Sequence, residues 1–196
     1  APRRVVLASS ANVYGNAPHS PIDETQPPQP TNHYAMSKWA MEVMARNYSD
    51  ALPIVVARPF NYTGPGQAPE FVIPKLVRHF AQRAPRIRLG NIQVEREFND
   101  VRLVCEAYLQ LLRHGVPGEV YNLCTGEPYG LQSVMQILTE LTDHRLPVDV
   151  DPSLVRAHEV HRLCGNPAKL KALYERVGVP WVHYPLRGTL RAMLAA

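Results

Sequence analysis

The first pattern along the chain is the stretch Arg4 to Ala8, apolar after its arginine and stopping at Ser9-Ser10. An unbroken apolar run of this kind predicts a parallel strand covered on both faces, with its carboxyl end available for function. Residues 17–33 hold five prolines among Asp, Ser, Thr and Asn, which predicts a long ordered loop. Ala35 to Asp50 reads as a helix, and Ile54 to Ala57 as a second short strand. Arg58-Pro59 closes that strand, and the turn Gly64-Pro65-Gly66 leads to a helix over about Glu70 to Arg83. Strand, helix, strand is the βαβ unit of a parallel sheet.

Further on, Ile87 to Gly90 predicts an edge strand, followed by a hairpin through Glu97 and a helix from Asp100 to His114 with Asp100 as its N-cap. Val120 to Leu123 reads as a strand, Leu131 to Leu141 as a helix and Val148 to Val150 as extended. Two weaker helical patterns cover about 167–176 and 185–195. This order predicts an α/β fold, the C-terminal part of a doubly wound (Rossmann-like) parallel sheet with a smaller α/β substrate-binding lobe. No internal repeat is visible. A Gly-rich strand-to-helix turn and an acidic residue ending a second strand are absent, so the dinucleotide fingerprint is expected upstream of this chain.

Composition narrows the classes. With 196 residues and 45% hydrophobic content the chain can bury a sizeable core. Cys105, Cys124 and Cys164 have neither disulfide nor zinc spacing, and are expected to be buried thiols in a reducing compartment. His158 and His161 flank Glu159 without a third ligand in register, so no metal site is expected. The net charge of +4 comes from scattered basic residues and not from a Lys/Arg stripe, which argues against nucleic acid and for a small anionic ligand. No stretch approaches the roughly 20 apolar residues of a membrane span, and a soluble cytoplasmic protein is expected.

Tyr34 and Lys38 lie four residues apart at the start of a helix, which sets both side chains on one face. Phenols titrate near 10, and an adjacent ammonium favours the ionised form. Such a pair can move a proton to or from a sugar hydroxyl or carbonyl. Ser10, at the end of a parallel strand, can hold the same oxygen. His33 is expected to pack in the loop, and Tyr14 and Gly15 to shape the substrate loop.

Ser9-Ser10-Ala11-Asn12-Val13-Tyr14-Gly15, the Pro-rich loop and Asn32-His33-Tyr34-Ala35-Met36-Ser37-Lys38 resemble, in order and spacing, the extended short-chain dehydrogenases/reductases. Arg58-Pro59-Phe60-Asn61-Tyr62-Thr63-Gly64-Pro65-Gly66 is similar to the family's passage from nicotinamide contacts to a substrate-binding asparagine. The resemblance implies catalysis by Ser10, Tyr34 and Lys38. It also implies that Ser9, Tyr34, Lys38 and Pro59 meet the cofactor, NAD or NADP. Phe71-Val72-Ile73-Pro74-Lys75, Leu89-Gly90-Asn91, Arg96 to Arg102 and Val155 to Val160 resemble the branch acting on GDP-linked mannose derivatives. It implies a GDP-linked hexose held by Ser10, Asn61, Val72, Lys75, Asn91, Arg96, Arg156 and Glu159. Lys75, Arg96 and Arg156 are expected on the nucleotide and its diphosphate, and Glu159 on the ribose hydroxyls, as arginine forks and a carboxylate suit those groups. Residues 1–66 then belong to the dinucleotide-binding domain and 67–196 mainly to the nucleotide-sugar lobe, with about 87–125 interleaved. A homodimer, or pairing with another chain, is expected.

Dehydratases of this family carry an acid just after the catalytic Ser or Thr. Here those positions are Ala11 and Asn12, which cannot take a proton from carbon. The favoured reaction is therefore reduction of a GDP-4-keto-6-deoxy-hexose at C4. A nucleotide-sugar 4-epimerase, a GDP-mannose 4,6-dehydratase and a non-catalytic nucleotide-sugar-binding fragment remain open at this point.

Overall fold

A computed structural model describes residues 2–155 and 160–196. In chain order the elements are β1 (Val5–Ala8), α1 (His33–Ala45), β2 (Ile54–Pro59), β3 (Tyr62–Thr63), α2 (Val72–Ala81), β4 (Ile87–Leu89), β5 (Glu95–Glu97) and β6 (Asn99–Asp100). They continue with α3 (Val101–His114), β7 (Val120–Leu123), β8 (Pro128–Gly130), α4 (Leu131–Thr142), β9 (Val148–Val150), β10 (Arg162–Leu163), α5 (Ala168–Arg176) and α6 (Leu186–Leu194).

The central sheet is parallel, in the order β1-β2-β7, with Val5 opposite Ile54 and Val56 opposite Val120. Alternation along β2 decides what each face meets. Val55 and Ala57 join Leu103, Val104, Ala107 and Leu111 of α3 and Leu170, Leu173 and Tyr174 of α5 in one core. Each fully buried leucine there contributes about 1.5–3 kcal/mol. Arg58 turns to the opposite face, towards α1, where Ala35 and Glu42 are the helix's buried residues. β1 itself is half-buried and Ala8 is exposed, so the strand expected to be covered on both faces is only partly covered.

A second core gathers α2 (Ile73, Leu76, Phe80), α4 (Val134, Leu138) and α6 (Leu186, Leu190) around Ile87, Leu89 and Phe98. The hairpin expected from Ile87 through Glu97 does not form. β4 pairs in parallel with β9, while β5 lies between β10 and β8. Both halves of the presumed hairpin have partners more than thirty positions away in sequence, and a local pattern carries no record of them. Glu97 is fully buried and accepts the backbone N–H groups of Thr125 (2.8 Å), Gly126 (3.2 Å) and Gly165 (2.5 Å). Burial pushes its carboxyl up, against the pull of those three donors.

The Pro-rich loop is tied down through Ile22. Its N–H donates to Cys164 O at 2.8 Å, and its carbonyl accepts from Asn166 N at 2.8 Å and Asn122 Nδ2 at 3.0 Å. Cys124 and Cys164 are buried as expected, but Cys105 is exposed, because it falls on the outer side of α3 between the inward positions Val104 and Ala107. Among the described residues no helix is long and apolar enough to cross a membrane, and no cluster of potential ligands suits a metal ion.

Candidate active site

After β1 the chain turns at once into a 3₁₀ turn, Ala11–Tyr14, capped by the Ser10 side chain. Ser10 Oγ accepts the backbone N–H of Asn12 at 3.2 Å and the Asn12 side-chain Nδ2 at 3.1 Å. The turn ends at Gly15, with φ +61°, where a Cβ would lie 2.0 Å from the carbonyl oxygen of Gln29. Only glycine allows so close an approach of the loop.

Helix α1 starts where Asn32 Oδ1 accepts the N–H of Ala35 at 2.9 Å. On its second turn Lys38 Nζ donates to Ala8 O at 2.9 Å and lies 5.8 Å from the centroid of the Tyr34 ring. Tyr34 is 53% exposed. Lys38 thus brings Tyr34 to the carboxyl end of β1, which Ser9 and Ser10 follow directly in the chain, and Pro59 ends the adjacent strand β2. His33 is exposed on the first turn of α1 and does not pack in the loop as expected.

Beneath this group runs a buried polar chain that motif reading missed. Glu42, one turn beyond Lys38, accepts the hydroxyl of Ser9 and both arms of Arg58, at 3.0 Å from Nε and 2.6 Å from Nη2. The Arg58 guanidinium lies 4.8 Å from the centroid of the Tyr14 ring, and the Tyr14 hydroxyl donates to Asn122 Oδ1 at 2.7 Å. Burial pushes the Tyr14 phenol up to about 12, although the guanidinium pulls the other way. The available signal was a carboxylate on the Tyr34–Lys38 face of α1 and an arginine near the end of an otherwise apolar strand.

The residues expected to hold the nucleotide sugar are more dispersed. Asn61 is exposed just after β2, and its carbonyl accepts from Asn99 N at 2.9 Å and Asn99 Nδ2 at 3.1 Å. Val72 opens α2 and packs against the second core. Lys75 Nζ donates to Arg88 O at 2.7 Å, and Asn91 Oδ1 accepts from Gln93 N at 2.9 Å. Arg96 donates to the carbonyls of Glu95 (2.8 Å), His161 (3.1 Å) and Val160. Arg156 and Glu159 lie outside the described residues.

A cofactor can be tested against these groups. One Lys38 N–H is engaged by Ala8, leaving two for ribose hydroxyls, and the Tyr34 ring is open on one side. Those groups fit a nicotinamide nucleoside.

Comparison with known proteins identifies the family and the fold. The family model described as GDP-mannose 4,6 dehydratase matches residues 1–175. The GDP-6-deoxy-D-mannose reductase of Pseudomonas aeruginosa is 38% identical over 171 residues, covering 83% of this chain and 56% of that protein. The GDP-6-deoxy-D-talose 4-dehydrogenase of Aggregatibacter actinomycetemcomitans is 34% identical over 166 residues, covering 85% of this chain and 56% of that protein. The chain thus spans little more than half the length of these curated relatives. Among solved structures, RMD from Pseudomonas aeruginosa complexed with NADPH superposes with a TM-score of 0.85 at 36% identity, covering 97% of this chain and 65% of that one. The fold is accordingly the Rossmann-like α/β arrangement, and the chain belongs to the GDP-mannose 4,6 dehydratase family, among the extended short-chain dehydrogenases/reductases.

Proposed function

We propose that the protein carrying this chain is an NAD(P)-dependent enzyme that reduces a GDP-4-keto-6-deoxy-hexose at C4. The observation that carries the reading is Lys38 hydrogen-bonded to the last residue of β1 with Tyr34 beside it and Ser10 two residues further on, and Ala11 and Asn12 where a carboxylate would be needed. The names of the two curated relatives support the GDP-linked 6-deoxy sugar and chemistry at C4. The nicotinamide, when bound, supplies the hydride. Ser10 donates a hydrogen bond to the ketone oxygen, Tyr34 gives that oxygen its proton, and Lys38 stabilises the phenolate left behind. Nothing at positions 11 and 12 can take the proton that dehydration removes from carbon.

In this reading residues 1–66 hold the reacting end of the ligand. Lys75, Asn91, Arg96, Arg156 and Glu159 hold the nucleotide from the 67–196 side, with 87–125 shared. Pairing with another chain is supported by the exposed Met36, Val43 and Met44 on α1. The free thiols suit the cytoplasm. The test is product analysis with the full-length protein. It should consume reduced nicotinamide when given the 4-keto-6-deoxy substrate and leave GDP-mannose unchanged over the same period. Efficient formation of a 4-keto product from GDP-mannose would overturn the reading.

A further inference from the structure

A serine hydroxyl has one hydrogen to give and two lone pairs to receive. The two neighbouring serines at the end of β1 use them in opposite ways. Ser9 gives its hydrogen to Glu42 and so has none left for a ligand. Ser10 receives two hydrogen bonds, from the backbone N–H and the side-chain amide of Asn12. Among the described residues no protein acceptor takes its hydrogen. Ser10 is 5% exposed, so that hydrogen has little choice of direction other than the ligand side.

We infer that Asn12 is a positioning residue which, by donating to Ser10 Oγ, makes Ser10 a one-way donor and sets the site to receive a carbonyl oxygen in preference to a hydroxyl. A ketone oxygen only accepts, and two donors, Ser10 and Tyr34, can fill its two lone pairs. An alcohol in the same place also has a hydrogen to give, and the lone pairs of Ser10 are already taken by Asn12. An amide hydrogen pointed at Oγ further polarises the hydroxyl as a donor. An aspartate has the same shape with the opposite preference. It would capture the Ser10 hydrogen and face the ketone oxygen with a negative charge.

This inference rests on the ketone reduction proposed above, and the experiment separates the two. The full-length enzyme and its Asn12→Asp and Asn12→Ala variants are assayed with GDP-4-keto-6-deoxymannose and reduced nicotinamide, with melting curves to show that each is folded. Asn12→Asp should lower kcat roughly tenfold or more with KM within about threefold of wild type. Asn12→Ala keeps the backbone donor and should lower kcat by only about two- to threefold. A side chain that merely packs gives the reverse order, because aspartate keeps the shape and alanine leaves a gap. A wild type that reduces the ketone, with the aspartate variant equal to it or better than alanine, overturns the inference and leaves the function standing. If only the alanine variant is recovered folded, an unchanged kcat in it has the same meaning. A wild type that does not reduce the ketone overturns both.

Discussion

An arginine whose side chain is 4% exposed needs a counter-charge, and Glu42, itself 3% exposed, supplies it through two hydrogen bonds. The pair sits under the serines, so whatever disturbs it disturbs the floor of the site. Removing one partner leaves an uncompensated buried charge, whereas replacing both with apolar groups of similar volume removes the difficulty together with the bond. Arg58→Met in the full-length protein should therefore cost about 3–5 kcal/mol, and Glu42→Leu combined with Arg58→Met should recover at least about half of it. Urea midpoints around the double-mutant cycle check this, and additive losses would contradict it. Sequence pointed to Tyr34, Lys38 and Ser10 because the segments that carry them resemble the family in order and spacing, two of them four residues apart on one helix and the third ending an apolar run. It did not show Glu42, Arg58, Tyr14 and Asn122 acting together. Separations of 16 positions for Glu42–Arg58 and 108 for Tyr14–Asn122 leave no local trace of the contacts.

Among the elements, α3 was readable from both its ends and its inner face. Asp100 caps it, with Oδ1 accepting the N–H of Arg102 at 2.8 Å. The same carboxylate has a second task that local pattern could not reveal, since its Oδ2 accepts the buried hydroxyl of Thr189 from α6 at 2.7 Å. Burial raises the Asp100 carboxyl, but the hydrogen bonds from Arg102 and Thr189 outweigh it and hold the group below its ordinary value. A depressed folded-state value means stabilisation that is complete above the unfolded carboxylate range and is lost as pH falls through the folded one. Asp100→Ala should cost about 2–4 kcal/mol near neutrality, the sum of a lost cap and an orphaned hydroxyl. The gap from wild type should narrow in acid, and urea titrations at several pH values would show whether it does. The strands missed by pattern, β3, β6, β8 and β10, have two or three residues and show no alternation, whereas the equally short β4 and β9 were marked by their apolar ends.

For the whole molecule, fold class and parallel sheet were legible because long apolar runs and helical periods survive without knowledge of their partners. What stayed hidden was which strand lies beside which. Among the described residues β1 pairs with β2 alone, so its other edge presents unpaired backbone groups, and Met36, Val43 and Met44 of α1 are exposed as well. An open strand edge and exposed apolar side chains each invite pairing. This 196-residue chain on its own should associate or precipitate, and light scattering that reports a stable, monodisperse monomer would contradict that. Glu97 bears on how the rest comes apart. Its oxygens close on the segment after β7 and on the segment after β10, while its own strand is flanked by Val94 and Phe98 of the second core. Pulling those segments away from the second core would strand a carboxylate inside protein with its donors withdrawn, so partial melting there is penalised. The second core and the segments that follow β7 and β10 should therefore come apart in one cooperative step, as a single thermodynamic unit.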